Sequence, residues 1–216
     1  MAECIIDHIA VTASTLEEGV RFIQETLGVA PEPGGEHPQM GTHNMLLRLG
    51  EMCYLEVIAQ DPHARAPERP RWFGLDELRA DAAPQISAWI ARTTDIHSAV
   101  DSSTEDLGSI ETMHRGHLQW LITIAPNGRV PLDGVGPAII EWPPDVHPAA
   151  KLHDHGLSLI ELQLIHPDPA RVTRLLKSLS ISGPLTVRSP APGTTPRLRA
   201  VVDTPHGTRV LSVAEK

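Results

Sequence analysis

A chain of 216 residues with 41% hydrophobic and 21% charged side chains can bury one large core or two small ones and has an ordinary globular composition. Its formal net charge of -9 argues against nucleic acid or an anionic membrane as the main partner. No basic segment followed by an apolar stretch opens the chain, and no apolar run nears the roughly 18 residues of a membrane span. Two cysteines without a CxxC or Cys/His zinc spacing make reduced thiols and a cytoplasmic location the expectation. Aromatic residues are only 3%, so the core must rest on Leu, Ile, Val and Ala.

The first predicted strand covers about residues 3–12. A helix follows, capped by Ser14 or Thr15, with Glu17 or Glu18 three residues on as a capping box requires. Leu16, Val20, Ile23 and Leu27 share one helical face, and Gly28 ends the helix. The Pro/Gly-rich stretch 30–42 reads as a loop. Strands then follow at 44–49 and 52–58, joined by a tight turn at Gly50-Glu51. Residues 61–84 read as a linker with a short helix around 73–79.

The same order returns at 85–94 (strand), at 95–104 (helix capped by Asp95), and in strands at 109–113, 117–124 and 137–142. It returns again at 158–165, with Asp168 as cap and Pro169 at the first helical position, then at 185–188, 197–203 and 208–213. The predicted organisation is therefore a first βαβββ unit at 1–60, the linker 61–84, a second unit at 85–143, and a linker with a third βαβββ-like unit at 144–216. Arg197, Arg199 and Arg209 in the last unit could form a basic patch, or simply a solvated strand face.

Two polar residues interrupt apolar runs in the first unit: His8 in Ile5-Ile6-Asp7-His8-Ile9-Ala10-Val11, and Glu56 in Cys53-Tyr54-Leu55-Glu56-Val57-Ile58. Burying them is costly unless a metal, a ligand or a hydrogen-bond partner compensates. Parallel neighbouring strands would bring both to one face. The bland reading of His8 is a core histidine bonded to backbone carbonyls. Aligning Asp95 and Asp168 each on Ser14 puts Trp89 and Leu162 in the place of His8, while matching the closing strand 138–142 to 54–57 puts Glu141, and aligning Gly207 on Gly50 puts Val213, in the place of Glu56. Glu141 could equally finish the sheet beside Trp142.

His37 and His43 lie in a loop fit to cover a ligand, or merely exposed. His43 is the candidate general acid/base because imidazole titrates near neutrality. Trp89 and Trp120 would line the hollow or fill it. His153-Asp154-His155 could grip a metal if extended, though linker histidines are usually just exposed.

A repeated strand–helix–three-strand unit with His on its first strand and Glu on its last resembles the vicinal-oxygen-chelate superfamily, and within it the glyoxalase-like domain proteins. The supporting segments are Asp7-His8-Ile9-Ala10-Val11, His37 to Asn44, Tyr54 to Ile58, Trp120, Ile139 to Trp142, and His166-Pro167-Asp168-Pro169. The resemblance implies an α+β fold in which repeated βαβββ units form curved mixed sheets around a cup.

It further implies a divalent metal ion (Fe, Mn, Zn or Ni) held by His8, Glu56 and Glu141, with Trp89 where a fourth ligand would stand. His43 and Glu141 would be catalytic, and His37, Asn44, Trp89 and Trp120 would bind substrate. The implied activity is that of an isomerase, lyase or dioxygenase acting on a small organic molecule with vicinal oxygens. The alternative is a non-catalytic binding protein of the bleomycin-resistance type. The implied partners are a small-molecule ligand and a second copy in a homodimer, with no nucleic acid and no membrane.

Overall fold

The computed structural model describes residues 3–116 and 118–212. In the first unit, strand β1 (Cys4–Thr12) leads into helix α1 (Leu16–Leu27), followed by β2 (Glu32–His37), β3 (Thr42–Arg48) and β4 (Tyr54–Gln60). The hydroxyl of Thr15 accepts from the Glu18 N–H at 3.2 Å, and Ser14 donates to the Glu18 carboxylate at 2.5 Å. Both candidate caps thus hold the helix start. Gly28 closes the helix in the left-handed conformation, φ 79°, which costs glycine nothing.

Two local expectations change. The stretch read as a loop contains β2, whose Pro33, Gly34 and Gly35 suit an edge strand bonded only to β3, with an irregularity between Pro33 and Gly35. The turn after β3 is also longer than two residues. It spans Leu49 to Cys53, closed by the Leu49 N–H on the Cys53 carbonyl at 2.9 Å.

The second unit comprises β5 (Gln85–Arg92), α2 (Ile96–Ser102), β6 (Ser109–Arg115), β7 (Leu118–Ile124) and β8 (Ala138–Glu141). Asp95 caps α2 by accepting from Ser98 N–H at 3.0 Å. In the connecting segment, tight 3-10 turns cover Trp72–Glu77, with Phe73 and Gly74 at φ 59° and 70°. The third unit holds β9 (Ser158–Ile165), α3 (Pro169–Ser178), β10 (Ile181–Ser182), β11 (Leu185–Arg188), β12 (Arg197–Asp203) and β13 (Arg209–Ser212). His117 and Val213, which the sequence placed in strands, lie outside the described residues.

The first two units form one curved sheet in the order β2-β3-β4-β1-β5-β8-β7-β6. In each unit the first strand runs parallel to the last, β1 beside β4 and β5 beside β8. The units join through the antiparallel pair β1 and β5. β10 pairs with Cys4 and Ile5, extending the sheet where β4 has not yet begun.

The third unit keeps the element order but not the pairing. Its sheet runs β11-β9-β12-β13, so β9 lies between β11 and β12 and the last strand is not its neighbour. A large core including Ile9, Ile23, Leu55, Trp89, Ile139, Leu175 and Val202 binds this unit to the convex, helix-bearing side of the main sheet.

The concave side carries a separate cluster that includes Ala10, Ile58, Trp72, Phe73, Ile90, Trp120 and Ile140. The Gln39 side chain spans the ends of the curl, donating to the Thr112 carbonyl at 3.3 Å and accepting from His114 N–H at 3.1 Å. This α+β architecture, a mixed sheet curled into a cup, is that of the glyoxalase and vicinal-oxygen-chelate fold. No helix among the described residues is long and apolar enough to cross a membrane.

Candidate functional site

The register of β1 against β4 places His8 opposite Tyr54, with Glu56 two residues further along β4 and on the same face. His8 Nε2 stands 3.6 Å from Glu56 Oε2, both side chains almost wholly buried. Asn44, reaching from β3, donates to the other Glu56 oxygen at 2.5 Å. The His8 ring stacks on Tyr54, with centroids 4.4 Å apart.

Asp7 joins this group because β1 is irregular there. Ile6 pairs with Ala91 and His8 with Ile90, so Asp7 is an extra residue that interrupts the alternation of faces. Its carboxylate accepts from His8 Nδ1 at 2.6 Å, from Trp142 Nε1 at 2.9 Å and from His147 Nε2 at 2.9 Å. The His147 ring is held in turn by Ala149 N–H, which donates to its Nδ1 at 3.2 Å. Asp7 therefore fixes the His8 ring and directs Nε2 toward Glu56.

Burial opposes charge on all three groups, but their mutual contacts outweigh it. The Asp7 hydrogen bond and the nearby Glu56 raise His8 to about 9 against its burial. Burial would lift Asp7, yet hydrogen bonds from His147 and His8 hold it well below the usual carboxylate range. Glu56 is lowered the same way, mainly by His8. His37 behaves oppositely: burial pushes it down to about 4, so it is neutral near pH 7. Its Nδ1 lies 3.2 Å from the Thr42 hydroxyl, and its ring meets Trp72 and Trp120 edge-on.

These residues surround one hollow with a cavity of only about 30 Å³, room for one or two waters. Trp72, Phe73, Trp120 and Trp142 fill most of the cup, and Arg115 also lines it. Two buried polar atoms near this site have no partner among the described residues, Asn44 Oδ1 and the Trp72 indole N–H.

Of the residues singled out from the sequence, His8, His37, Asn44, Glu56 and Trp120 converge here, and three others do not. Trp89 is fully buried on the opposite, helix-bearing side, where its N–H donates to the Val135 carbonyl at 2.7 Å. Glu141 also points away from the hollow, and its carboxylate accepts from Ile96 N–H at 2.8 Å, at the start of α2. His43 pairs with Ala59 on the face of β3 opposite Asn44 and does not line the hollow. The first two errors are of one kind. Trp89, from matching Ser14 rather than the actual cap Thr15 with Asp95, and Glu141, from matching the closing strands, are each out of step by an odd number of residues, which reverses the face. The β1–β5 pairing is symmetric about Ile9 and Trp89, so the counterparts of His8 and Glu56 are Ala88 and Ala138.

Asp7, Arg115, Trp142 and His147 were missed as site residues. A charged residue beside His8 in an apolar run was a signal for Asp7. His147 had none, since its partner lies 140 positions away.

This donor set does not complete a four-ligand metal centre. His8 and Glu56 could offer one nitrogen and one oxygen to a divalent ion, but the second unit supplies Ala88 and Ala138 at the corresponding places, which have no donor. Of the remaining polar groups, Asn44 Nδ2 is engaged with Glu56 and His37 Nδ1 with Thr42, while Asn44 Oδ1 has no partner among the described residues. No cluster of three or more His, Cys, Asp or Glu suited to a metal occurs among the described residues.

Comparison with known proteins agrees with the architecture. A hypothetical protein from Staphylococcus aureus is 13% identical, with 89% of this chain and 87% of that one covered at a TM-score of 0.61. Similar solved structures also include the methylmalonyl-CoA epimerase from Mycobacterium tuberculosis, 16% identical, covering 64% and 88% at a TM-score of 0.42. Another is the Mn(II)-bound glyoxalase from Novosphingobium aromaticivorans, 7% identical, covering 97% and 84% at 0.45. No curated protein matches the sequence. The family description "Glyoxalase-like domain" matches residues 6–180, and the chain belongs to that family.

Proposed function

We propose that the cup binds a small organic molecule with adjacent oxygens and that His8 and Glu56 transfer protons to and from it. The supporting observation is the Asp7–His8–Glu56 alignment in a buried aromatic hollow, with His8 Nε2 and Glu56 Oε2 3.6 Å apart. With His8 raised and Glu56 lowered, the pair at pH 7 is imidazolium and carboxylate, an acid beside a base. Glu56 would take a proton from the carbon next to a carbonyl as His8 gives its Nε2 proton to the carbonyl oxygen, forming an enediol. Return of the protons in reverse completes an exchange; delivery of the Glu56 proton to the former carbonyl carbon, while the other hydroxyl of the enediol gives its proton to the neutral His8, completes an isomerisation. The balanced charge of the pair lets this step proceed without a metal, and no metal is assigned a role in it.

A second reading, binding without chemistry, is favoured by the small cavity and by the contacts His8 and Glu56 already make to each other and to Asp7 and Asn44. Access for any substrate then requires the aromatic lining to shift. Hydroxyacetone, neutral and with adjacent oxygens, separates the readings. Its binding is followed through quenching of the tryptophans around the hollow, and its C–H exchange by NMR in D₂O. Exchange catalysed by the wild type and abolished in Glu56→Gln supports proton transfer, whereas binding without exchange supports the second reading. Stoichiometric manganese, iron or zinc, retained on purification and lost in His8→Ala and Glu56→Ala, would overturn the metal-free step.

A further inference from the structure

We propose that Arg115 anchors a carboxylate group on the ligand, a deeper reading that rests on the cup being a ligand site. Arg115 ends β6 at the rim, half-buried, and its side chain packs against Gly35 of β2. A β-carbon added at Gly35 would lie 2.7 Å from Arg115 Cδ. Among the described residues it forms no ion pair and no hydrogen bond, although the hollow it lines contains Glu56. That isolation is unusual, because a guanidinium stays charged at any working pH and loses solvation when partly buried.

The other charged side chains of the hollow already have partners. Asp7 is shared by His8, Trp142 and His147, and Glu56 is held by Asn44 and His8. Counted with Asp7, Glu56 and the His8 imidazolium, Arg115 brings the hollow to neutrality, yet no carboxylate among the described residues lies within ion-pair distance of its guanidinium, and the neutral His37 nearby cannot serve as its partner.

A second observation points to a ligand at this place. The Trp72 indole N–H, on a residue 4% exposed that lines the same hollow, has no acceptor among the described residues. An unused guanidinium and an unused buried N–H around one hollow suit an acceptor-only group with two oxygens. The tightness of the space favours a planar carboxylate over the bulkier tetrahedral phosphate.

The test uses the full chain, with propionate and its neutral isostere propionamide as probes at constant ionic strength, read by tryptophan fluorescence. The wild type is expected to bind propionate at least tenfold more tightly than propionamide. Arg115→Gln should remove that preference and Arg115→Lys should keep part of it, with melting temperatures confirming that both variants fold. Equal binding of the two probes by the wild type overturns the proposal, as does a preference that survives Arg115→Gln. Tighter binding of inorganic phosphate than of propionate overturns the assignment to carboxylate. Hydroxyacetone lacks the anionic group, so its failure to bind or exchange refutes the proton-transfer reading while leaving a propionate preference at Arg115 intact.

Discussion

His8 and Ile90 are direct partners across the antiparallel β1–β5 pair and share its concave face, while the symmetry of that pair about Ile9 and Trp89 sets Ala88 in the place His8 holds in the first unit. The register of β5 against β8 continues this asymmetry, setting Ala138 where the first unit has Glu56. The polar half of the cup can therefore work only through groups the first unit and its surroundings supply.

This equivalence predicts how to build a metal site. Ala88→His combined with Ala138→Glu should give manganese or zinc four protein donors in the hollow. The double variant should melt several degrees higher on adding the metal, as a specific ligand stabilises the folded state. Trp89→His should show no such response, since its side chain lies on the other side of the sheet. Equal metal stabilisation in both variants would refute the register argument.

Asp7 is predicted to be the most sensitive polar residue in the chain. Asn has nearly the same shape, but its amide offers one acceptor where the carboxylate serves three donors. Asp7→Asn should cost about 3–5 kcal/mol in urea unfolding, the range for breaking a buried charge pair. The His8 titration followed by NMR should also fall from about 9 toward lower pH.

His8 should stabilise the fold on the acid side of its own titration. Its folded value is about 9 against an ordinary 6.5, so its contribution is complete below about 6.5 and disappears as pH rises through about 9. The stability gap between wild type and His8→Gln should shrink by about 3 kcal/mol between pH 6 and pH 10. His37 carries the opposite sign. Lowered to about 4, it contributes above about 6.5 and that contribution is lost as pH falls toward 4. Chemical denaturation at four or five pH values checks both directions, and a gap that widens with pH for His8 would contradict the assignment.

Gly19 has a packing role at the contact between α1 and the sheet. A β-carbon there would lie 2.4 Å from Val57 Cγ1 and 3.0 Å from Ala13 Cβ, both on fully or nearly fully buried residues. Although alanine favours helix by about 1 kcal/mol over glycine, overpacking of this kind typically costs about 1–3 kcal/mol. Gly19→Ala should therefore lower the melting temperature, and a rise would show that α1 can shift away freely.

Much of the scaffold was legible because it follows local rules. Thr15, Asp95 and Asp168 satisfy the first N–H groups of helices α1, α2 and α3 through their own side chains, so caps and following stripes could be read in order. β2 was hidden because Pro33, Gly34 and Gly35 are poor strand formers, tolerated only where one side needs no partner. His8 and Glu56 could be paired from their positions in the first and last strands of one unit. The counterpart of His8 was misplaced because Ser14 and Thr15 are both able to cap α1, and choosing Ser14 shifts the second unit by one residue and reverses the face.

The sequence alone determined which segments become helix or strand, since caps, periodicity and turn residues act over a few positions. It also determined that His8 and Glu56 would need compensation inside an apolar setting. Only the tertiary structure decided what supplies it. The irregularity at Asp7, the arrival of His147 from 140 positions away, and the odd-numbered steps that turn Trp89 and Glu141 outward all depend on long-range pairing. In a strand, a shift of one residue reverses the face of every side chain, and such a shift is set by distant neighbours.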